Sequence, residues 1–195
     1  KSFRAALSFK PNYAEVHNNL GVAYKELNRL EDAVESYQRA IEITPQFAEA
    51  HNNLGVVYKE LYQPEDAAHK FKEALVLRPQ NTEALNNLGI VYKELNRLED
   101  AVESYQRAIE INPQFAEAHN NLGVVYKELY QLEDAGKSLN KALSIDSKYV
   151  EAHNNLGTIY KELNKPDEAN RQYQKALELN PNYAEAHFNY GVLMS

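Results

Sequence analysis

Apolar and small residues recur along this chain at helical spacing, in bursts separated by short polar breaks. Across 48–61, Ala50, Leu54, Val57, Tyr58 and Leu61 fall on one helical face. Tyr62 and Gln63 interrupt the pattern. Pro64 then suits a first helical position, and Glu65 and Asp66 complement the positive end of the new helix dipole. Ala67, Phe71, Ala74 and Leu75 make the stripe of this second helix, which Pro79 stops by disfavouring helix in the residue before it. The pattern predicts two helices joined by a tight polar turn. Neither helix buries its stripe alone, so the pattern also demands neighbours.

The neighbours are supplied by repetition. Asn-Asn-Leu-Gly begins at Asn18, Asn52, Asn86, Asn120 and Asn154, always 34 residues apart, and a worn copy runs from Phe188 to Gly191. Tyr-Lys-Glu-Leu follows each full copy, then one alanine (Ala33, Ala67, Ala101, Ala135, Ala169) and a second (Ala40, Ala74, Ala108, Ala142, Ala176). Proline closes the unit at Pro45, Pro79, Pro113 and Pro181, with Ser147 in that place once. One domain over 1–195 is expected, with full repeats at 14–47, 48–81, 82–115, 116–149 and 150–183. A half repeat at 1–13 reads as a second helix without its first, and 184–195 as a first helix without its second.

Above this lies a longer period. Segments 20–66 and 88–134 differ only at Val22/Ile90, Ala23/Val91, Thr44/Asn112 and Pro64/Leu132, so the unit last copied was a pair of repeats, by recent duplication or by construction. Small residues such as Gly55 and Ala67 are expected to let the two helices of a repeat approach closely.

Composition narrows the function. The net charge of −7 disfavours nucleic acid or an anionic membrane as partner, since both require a basic footprint. No apolar run reaches the ~20 residues of a membrane span. The absence of cysteine removes disulfides and thiol chemistry and suits a reducing, intracellular (cytoplasmic or nucleocytoplasmic) compartment. The chain starts at Lys1 rather than at methionine, as expected of a piece of a longer protein.

With this period and these residues, the chain resembles the tetratricopeptide-repeat family. The wording of 47–61, Phe-Ala-Glu-Ala-His-Asn-Asn-Leu-Gly-Val-Val-Tyr-Lys-Glu-Leu, is similar to the repeat domains of O-GlcNAc transferase and SPINDLY-type O-fucosyltransferases. The resemblance implies an all-α, right-handed superhelix of antiparallel helix pairs, an α-solenoid whose first helices line a concave groove for extended peptides. It also implies an asparagine ladder at Asn19, Asn53, Asn87, Asn121, Asn155 and Asn189. A carboxamide donates and accepts, so each rung can pair with a peptide backbone whatever the side chains.

Flanking the ladder are Glu15, Glu49, Glu83, Glu117, Glu151 and Glu185, and toward the helix ends Lys25, Lys59, Lys93, Lys127 and Lys161. Two readings stand for these charges: selection of ligand side chains, favouring basic or hydroxyl-bearing peptides, or compensation of the helix dipoles. For the asparagines the alternative is inter-repeat hydrogen bonding. Co-chaperone members of the family grip an acidic carboxylate terminus with cations. Here those places hold Asn18, Val22, Asn53, Glu83 and Asn87, so such tails are not expected as ligands.

Other signals point to packing. His17, His51, His119, His153 and His187 share one phase, with Leu85 replacing one of them. A shared metal needs ligands ~2.0–2.1 Å from one ion, whereas adjacent repeats separate equivalent residues by roughly 10 Å. Neither metal nor cofactor is expected. His69 should be solvated. Tyr24, Tyr58, Tyr92, Tyr126 and Tyr160 are expected in the core at one phase, and Tyr37, Tyr105 and Tyr173 at another. Tyr62 and Tyr130 stand at turns where the other repeats carry Asn28, Asn96 and Asn164, an exposed aromatic contact surface.

No nucleophile, base and orienting group stand together, and no phosphate loop occurs, so no enzyme activity is expected. Two functions remain. One is a scaffold binding protein or peptide segments in its groove. The other is head-to-tail self-association, with Phe3, Ala6 and Leu7 of one copy meeting Ala186, Tyr190 and Leu193 of the next.

Overall fold

The structure, a computed structural model, describes residues 13–194. Phe3, Ala6 and Leu7, named above for self-association, lie outside the described residues. The described residues form eleven helices and no strand, as the all-α expectation requires. In chain order they are α1 (Ala14–Glu26), α2 (Leu30–Ile43), α3 (Ala48–Glu60), α4 (Pro64–Leu77), α5 (Thr82–Glu94), α6 (Leu98–Ile111), α7 (Ala116–Glu128), α8 (Leu132–Ile145), α9 (Val150–Glu162), α10 (Pro166–Leu179) and α11 (Ala184–Met194). They divide into two compact units, 1–97 and 98–195.

Each unit is a stack of helix pairs. In the first, α1 packs on α2 and α3 on α4, while α2 meets α3 and α4 meets α5. The first helices α1, α3 and α5 also touch in succession, making a row of their own. In the second unit α6 meets α7, α7 pairs with α8 and α9 with α10, and α7, α9 and α11 form the matching row.

Burial follows the apolar stripes. Ala33 and Tyr37 of α2 pack with Leu54 and Val57 of α3, and Leu139 and Ala142 of α8 with Ala152, Leu156 and Ile159 of α9. Each core thus spans one repeat and the next, which is why no repeat stands alone. A fully buried Leu, Val or Ile contributes about 1.5–3 kcal/mol.

Glycine meets the alanine expected at one repeat, where a Cβ at Gly123 would lie 3.2 Å from Ala135 O, but its nearest neighbours are larger side chains. A Cβ at Gly55 would lie 2.8 Å from the Phe71 ring, and one at Gly157 would lie 2.6 Å from the Tyr173 ring. The missing side chain seats a ring of the second helix. At Gly123 it seats Leu139, whose Cγ would be 2.7 Å away.

The turn inside each pair is a Schellman motif, with one residue in left-handed backbone: Asn28, Tyr62, Asn96, Tyr130 and Asn164, φ 54–58°. At the first turn Arg29 N–H donates to Tyr24 O and Asn28 N–H to Lys25 O, both at 2.9 Å, so the last carbonyls of α1 are satisfied. Starts are less uniform. Asn81 caps α5 by accepting from Ala84 N–H at 3.1 Å, whereas Tyr13, Phe47, Phe115 and Tyr149 provide no side-chain cap. There a first-turn glutamate, such as Glu49 or Glu117, meets the dipole instead.

The tyrosines part company with expectation at one phase. Tyr37, Tyr105 and Tyr173 are fully buried, but of the other set only Tyr92 is buried, while Tyr24, Tyr58, Tyr126 and Tyr160 are half-buried. Their stems pack and their hydroxyls reach the surface, where Gln38 donates to Tyr58 (3.2 Å) and Gln106 to Tyr126 (2.9 Å).

Candidate functional site

The asparagine pairs sit midway along the first helices, where helical phase aims the first member into the packing and turns the next toward the helix surface. Asn18 is 2% exposed and Asn154 fully buried, whereas Asn53, Asn121, Asn155 and Asn189 are half-buried and Asn19 is exposed.

Within each unit the two kinds of asparagine are joined across repeats. Asn53 Nδ2 donates to Asn18 Oδ1 (3.1 Å), and Asn18 Nδ2 donates to Glu49 Oε1 (3.1 Å). The second unit repeats this. Asn155 donates to Asn120 (3.0 Å), Asn189 to Asn154 (3.0 Å) and Asn154 to Glu185 Oε1 (3.0 Å). Asn18 and Asn154 thus each accept from the second asparagine of the following repeat and donate to that repeat's first-turn glutamate, whereas Asn120 accepts in the same way but donates to Asn121 Oδ1 of its own helix at 3.3 Å. Tyr183 adds a bond from its hydroxyl to Glu185 Oε2 at 3.0 Å, and Tyr13 bonds Glu15 in the same manner.

One rung departs. Lys59 Nζ donates to Asn87 Oδ1 at 3.0 Å, Asn87 is buried, and Asn52 Oδ1 is left buried without a partner. Lys25 is engaged elsewhere, 3.3 Å from Glu60 Oε1.

The bonded state leaves the second asparagines chemically competent. Asn53, Asn155 and Asn189 spend one N–H on the neighbouring repeat, and the carbonyl oxygen and second N–H are the groups a peptide backbone needs. Pinning the amide beforehand removes rotamer entropy that binding would otherwise cost. The first-turn carboxylates Glu49, Glu83 and Glu117 are exposed at the starts of their helices, and Lys59, Lys93 and Lys127 are half-buried in the last turns. Both charge types occupy dipole-compensating places, and Glu49 and Glu185 are also latched to a preceding asparagine. Sequence reasoning does not single out the first asparagines as site residues. The signal for them is their strict repetition beside the second.

The histidine phase is a packing position. His51 and His153 are buried, and Nε2–H of each donates to the carbonyl six residues earlier, Pro45 at 2.9 Å and Ser147 at 3.1 Å. His119 does the same to Pro113 at 3.2 Å, and burial foremost, then Lys141, lowers its pKa. His187 makes the bond at 2.8 Å while exposed. His69 is solvated, 3.4 Å from Glu73. Tyr62 and Tyr130 stand out at 93% and 89% exposure. Burial pushes the Tyr37 hydroxyl up to about 12, with Glu60, Glu49 and Glu26 adding to the shift.

Antiparallel helix pairs recurring at a 34-residue period and stacked within each unit define a helical-repeat protein. A family model described as TPR repeat matches residues 23–61, 91–129 and 131–164, more than half of the chain. Models described as tetratricopeptide repeat match 48–81, 150–183 and, in another frame, 2–35, 70–103 and 172–195. The chain belongs to the tetratricopeptide-repeat family. No curated protein matches it in sequence.

Solved structures with the same fold include YrrB, described as a TPR protein with an unusual peptide-binding site (24% identity, TM-score 0.78, 96% of this chain and 97% of that one). MamA is similar at 27% identity and TM-score 0.78, covering 85% of this chain and 97% of that one. TTC0263, a thermophilic TPR protein of Thermus thermophilus, is similar at 27% identity and TM-score 0.73, covering 93% and 98%. Among the described residues no helix is long and apolar enough to cross a membrane.

Proposed function

We propose that the chain is a non-enzymatic protein-interaction scaffold that holds extended peptide segments along its first-helix row. Asn19, Asn53, Asn87, Asn121, Asn155 and Asn189 bond the peptide backbone, and the flanking glutamates and lysines select its side chains. Membership of the repeat family supports the scaffold. The observation that carries the asparagine role is the pinned amide: Asn53, Asn155 and Asn189 are each held at 3.0–3.1 Å by the preceding repeat with an acceptor and a donor still to spend. A net bond is worth only about 0.5–1.5 kcal/mol, so several rungs act together. Recruitment of substrates to a linked glycosyltransferase is one setting in which such a groove would serve, on the likeness of its wording to O-GlcNAc transferase repeats alone.

The test is a peptide-display selection on the chain and on the Asn53→Ala, Asn87→Ala, Asn121→Ala triple variant, with helicity and melting checked for both. Peptides held by the first and released by a folded second support the reading. Equal enrichment on both overturns it.

A second reading is favoured by α11. Nothing lies within 4 Å of a Cβ placed on Gly191, in contrast to the ring contacts at Gly55 and Gly157, and Phe188 is 71% exposed. Phe3 stands at the phase of Tyr37 and Phe71, so the 1–13 segment of another copy offers a ring of the kind that meets Gly21 and Gly55. Sedimentation over a concentration series tests it: association weakened by Phe3→Ser supports stacking, and a single monomeric mass throughout removes it.

A further inference from the structure

A cavity of about 220 Å³ opens between the first helices of the first unit, and its lining is not uniform in chemistry. Val22 of α1 and Val56 of α3 supply apolar wall, Glu26 and Glu83 supply carboxylates, and the Tyr37 ring from α2 closes it from behind. At this size it lies below the ~300–1,000 Å³ of small-molecule sites and suits one long side chain.

The Tyr37 hydroxyl is the unusual feature. The residue is 1% exposed, lines this cavity, and its hydroxyl has no hydrogen-bond partner among the described residues. One of the two equivalent tyrosines of the second unit, Tyr173, donates to Thr158 Oγ1 at 3.3 Å. Thr158 and Val22 occupy the same place in their repeats. With valine in place of that threonine, the Tyr37 oxygen lacks that partner, and as part of the cavity lining it can accept from a ligand donor in place of water.

Charge decides which donor. Lys25, also on the lining, is matched by Glu60 at 3.3 Å, and Glu49 nearby accepts from Asn18 at 3.1 Å. Glu26 and Glu83 carry no ion pair among the described residues, so the cavity presents two unmatched carboxylates and a hydroxyl acceptor around an aliphatic throat. From this we infer that the cavity is a subsite for a basic side chain of the bound peptide, arginine above lysine. Its methylenes lie between Val22 and Val56 and its cationic head meets Glu26, Glu83 and the Tyr37 oxygen. Arginine fits better because its planar, multiply donating head can serve two carboxylates and the hydroxyl together. Asn53, on the same lining, stands where the peptide backbone enters.

The inference rests on the groove reading above, and its test separates the two. Short acetylated and amidated peptides of glycine, alanine and serine with one central arginine, citrulline or norleucine are titrated against the full chain by fluorescence anisotropy. The same set is run on Glu26→Gln/Glu83→Gln and on Tyr37→Phe. Both carboxylates are exposed, and Phe71 holds the Tyr37 place one repeat on, so these variants keep the fold, which melting verifies. The arginine peptide should bind about tenfold tighter than citrulline, with the preference abolished in the double glutamine variant and reduced in Tyr37→Phe. Binding with no arginine preference, or a preference that survives both variants, overturns the subsite and leaves the groove standing. Binding by none of the peptides overturns both.

Discussion

Asn53 donates its side-chain N–H to the side-chain oxygen of Asn18, 3.1 Å away and 35 residues earlier, while Asn18 passes its own N–H to Glu49. The buried amide is thereby satisfied by two residues of the next repeat and none of its own. Order in the first-helix row therefore depends on polar bonds between repeats as well as on the apolar core behind them.

Removing the centre of that latch should hurt more than removing its rim. Asn18→Ala leaves Asn53 and Glu49 without their partner and is expected to lower stability by about 1–3 kcal/mol. Asn19→Ala, at an exposed place, should fall within about 0.5 kcal/mol of the parent. Urea denaturation of the two variants decides it, and equal midpoints would refute the structural role of the first asparagine.

Glycine to alanine should change sign along the chain. In the middle of a helix the swap ordinarily gains about 0.5–1 kcal/mol. At Gly55 and Gly157 the new methyl meets a buried ring at 2.8 and 2.6 Å, so a net loss of about 1–3 kcal/mol is expected. At Gly191, with open space around it, the ordinary gain should return. Thermal melts of Gly157→Ala and Gly191→Ala should therefore move in opposite directions.

Tyr62 and Tyr130 hold left-handed backbone with a bulky side chain, where the other turns use asparagine. Tyr62→Asn keeps the Schellman bonds and should stabilise by about 0.5–1 kcal/mol, since asparagine tolerates that region better. A fall in melting temperature would show that the exposed ring has packing not visible in its 93% exposure.

Acid should destabilise the chain through His119. Burial lowers its folded pKa below the ordinary 6.5. A depressed folded value means that the unfolded chain binds the proton more readily. The stabilising contribution is therefore complete above the unfolded pKa and is lost as pH falls through the folded one. Leucine occupies this phase at Leu85, so His119→Leu is the matched control. Between neutral and mildly acidic pH the parent should lose more stability than the variant, and parallel denaturation midpoints would dismiss the effect.

Much of this is legible in the residues, and the limits have physical reasons. Helix positions follow from the 34-residue period and the apolar phase, because both are local. Periodicity fixes which face a residue takes but not how deep it lies. It therefore assigns Tyr58 and Tyr126 to the core, whereas their hydroxyls reach Gln38 and Gln106 at the surface. Small residues suggest each other, which pairs Gly55 with Ala67, whereas it is the Phe71 ring that fills the space. The turn conformation carries no glycine to announce it. The asparagine latch spans separations of 31 and 35 residues, a relation invisible within one helix. It becomes visible only when the two asparagines of each repeat are treated as different residues with different neighbours.

Those separations recur as 31 and 35 in the second unit, between Asn154 and Glu185 and between Asn189 and Asn154. A latch that recognises only the adjoining repeat has no means of telling which repeat it has met. Deleting or inserting one whole 34-residue block therefore keeps the 31- and 35-residue separations that the latch requires, while a gain or loss of any other length puts them out of phase. The family can thus lengthen or shorten its reach without inventing a new contact.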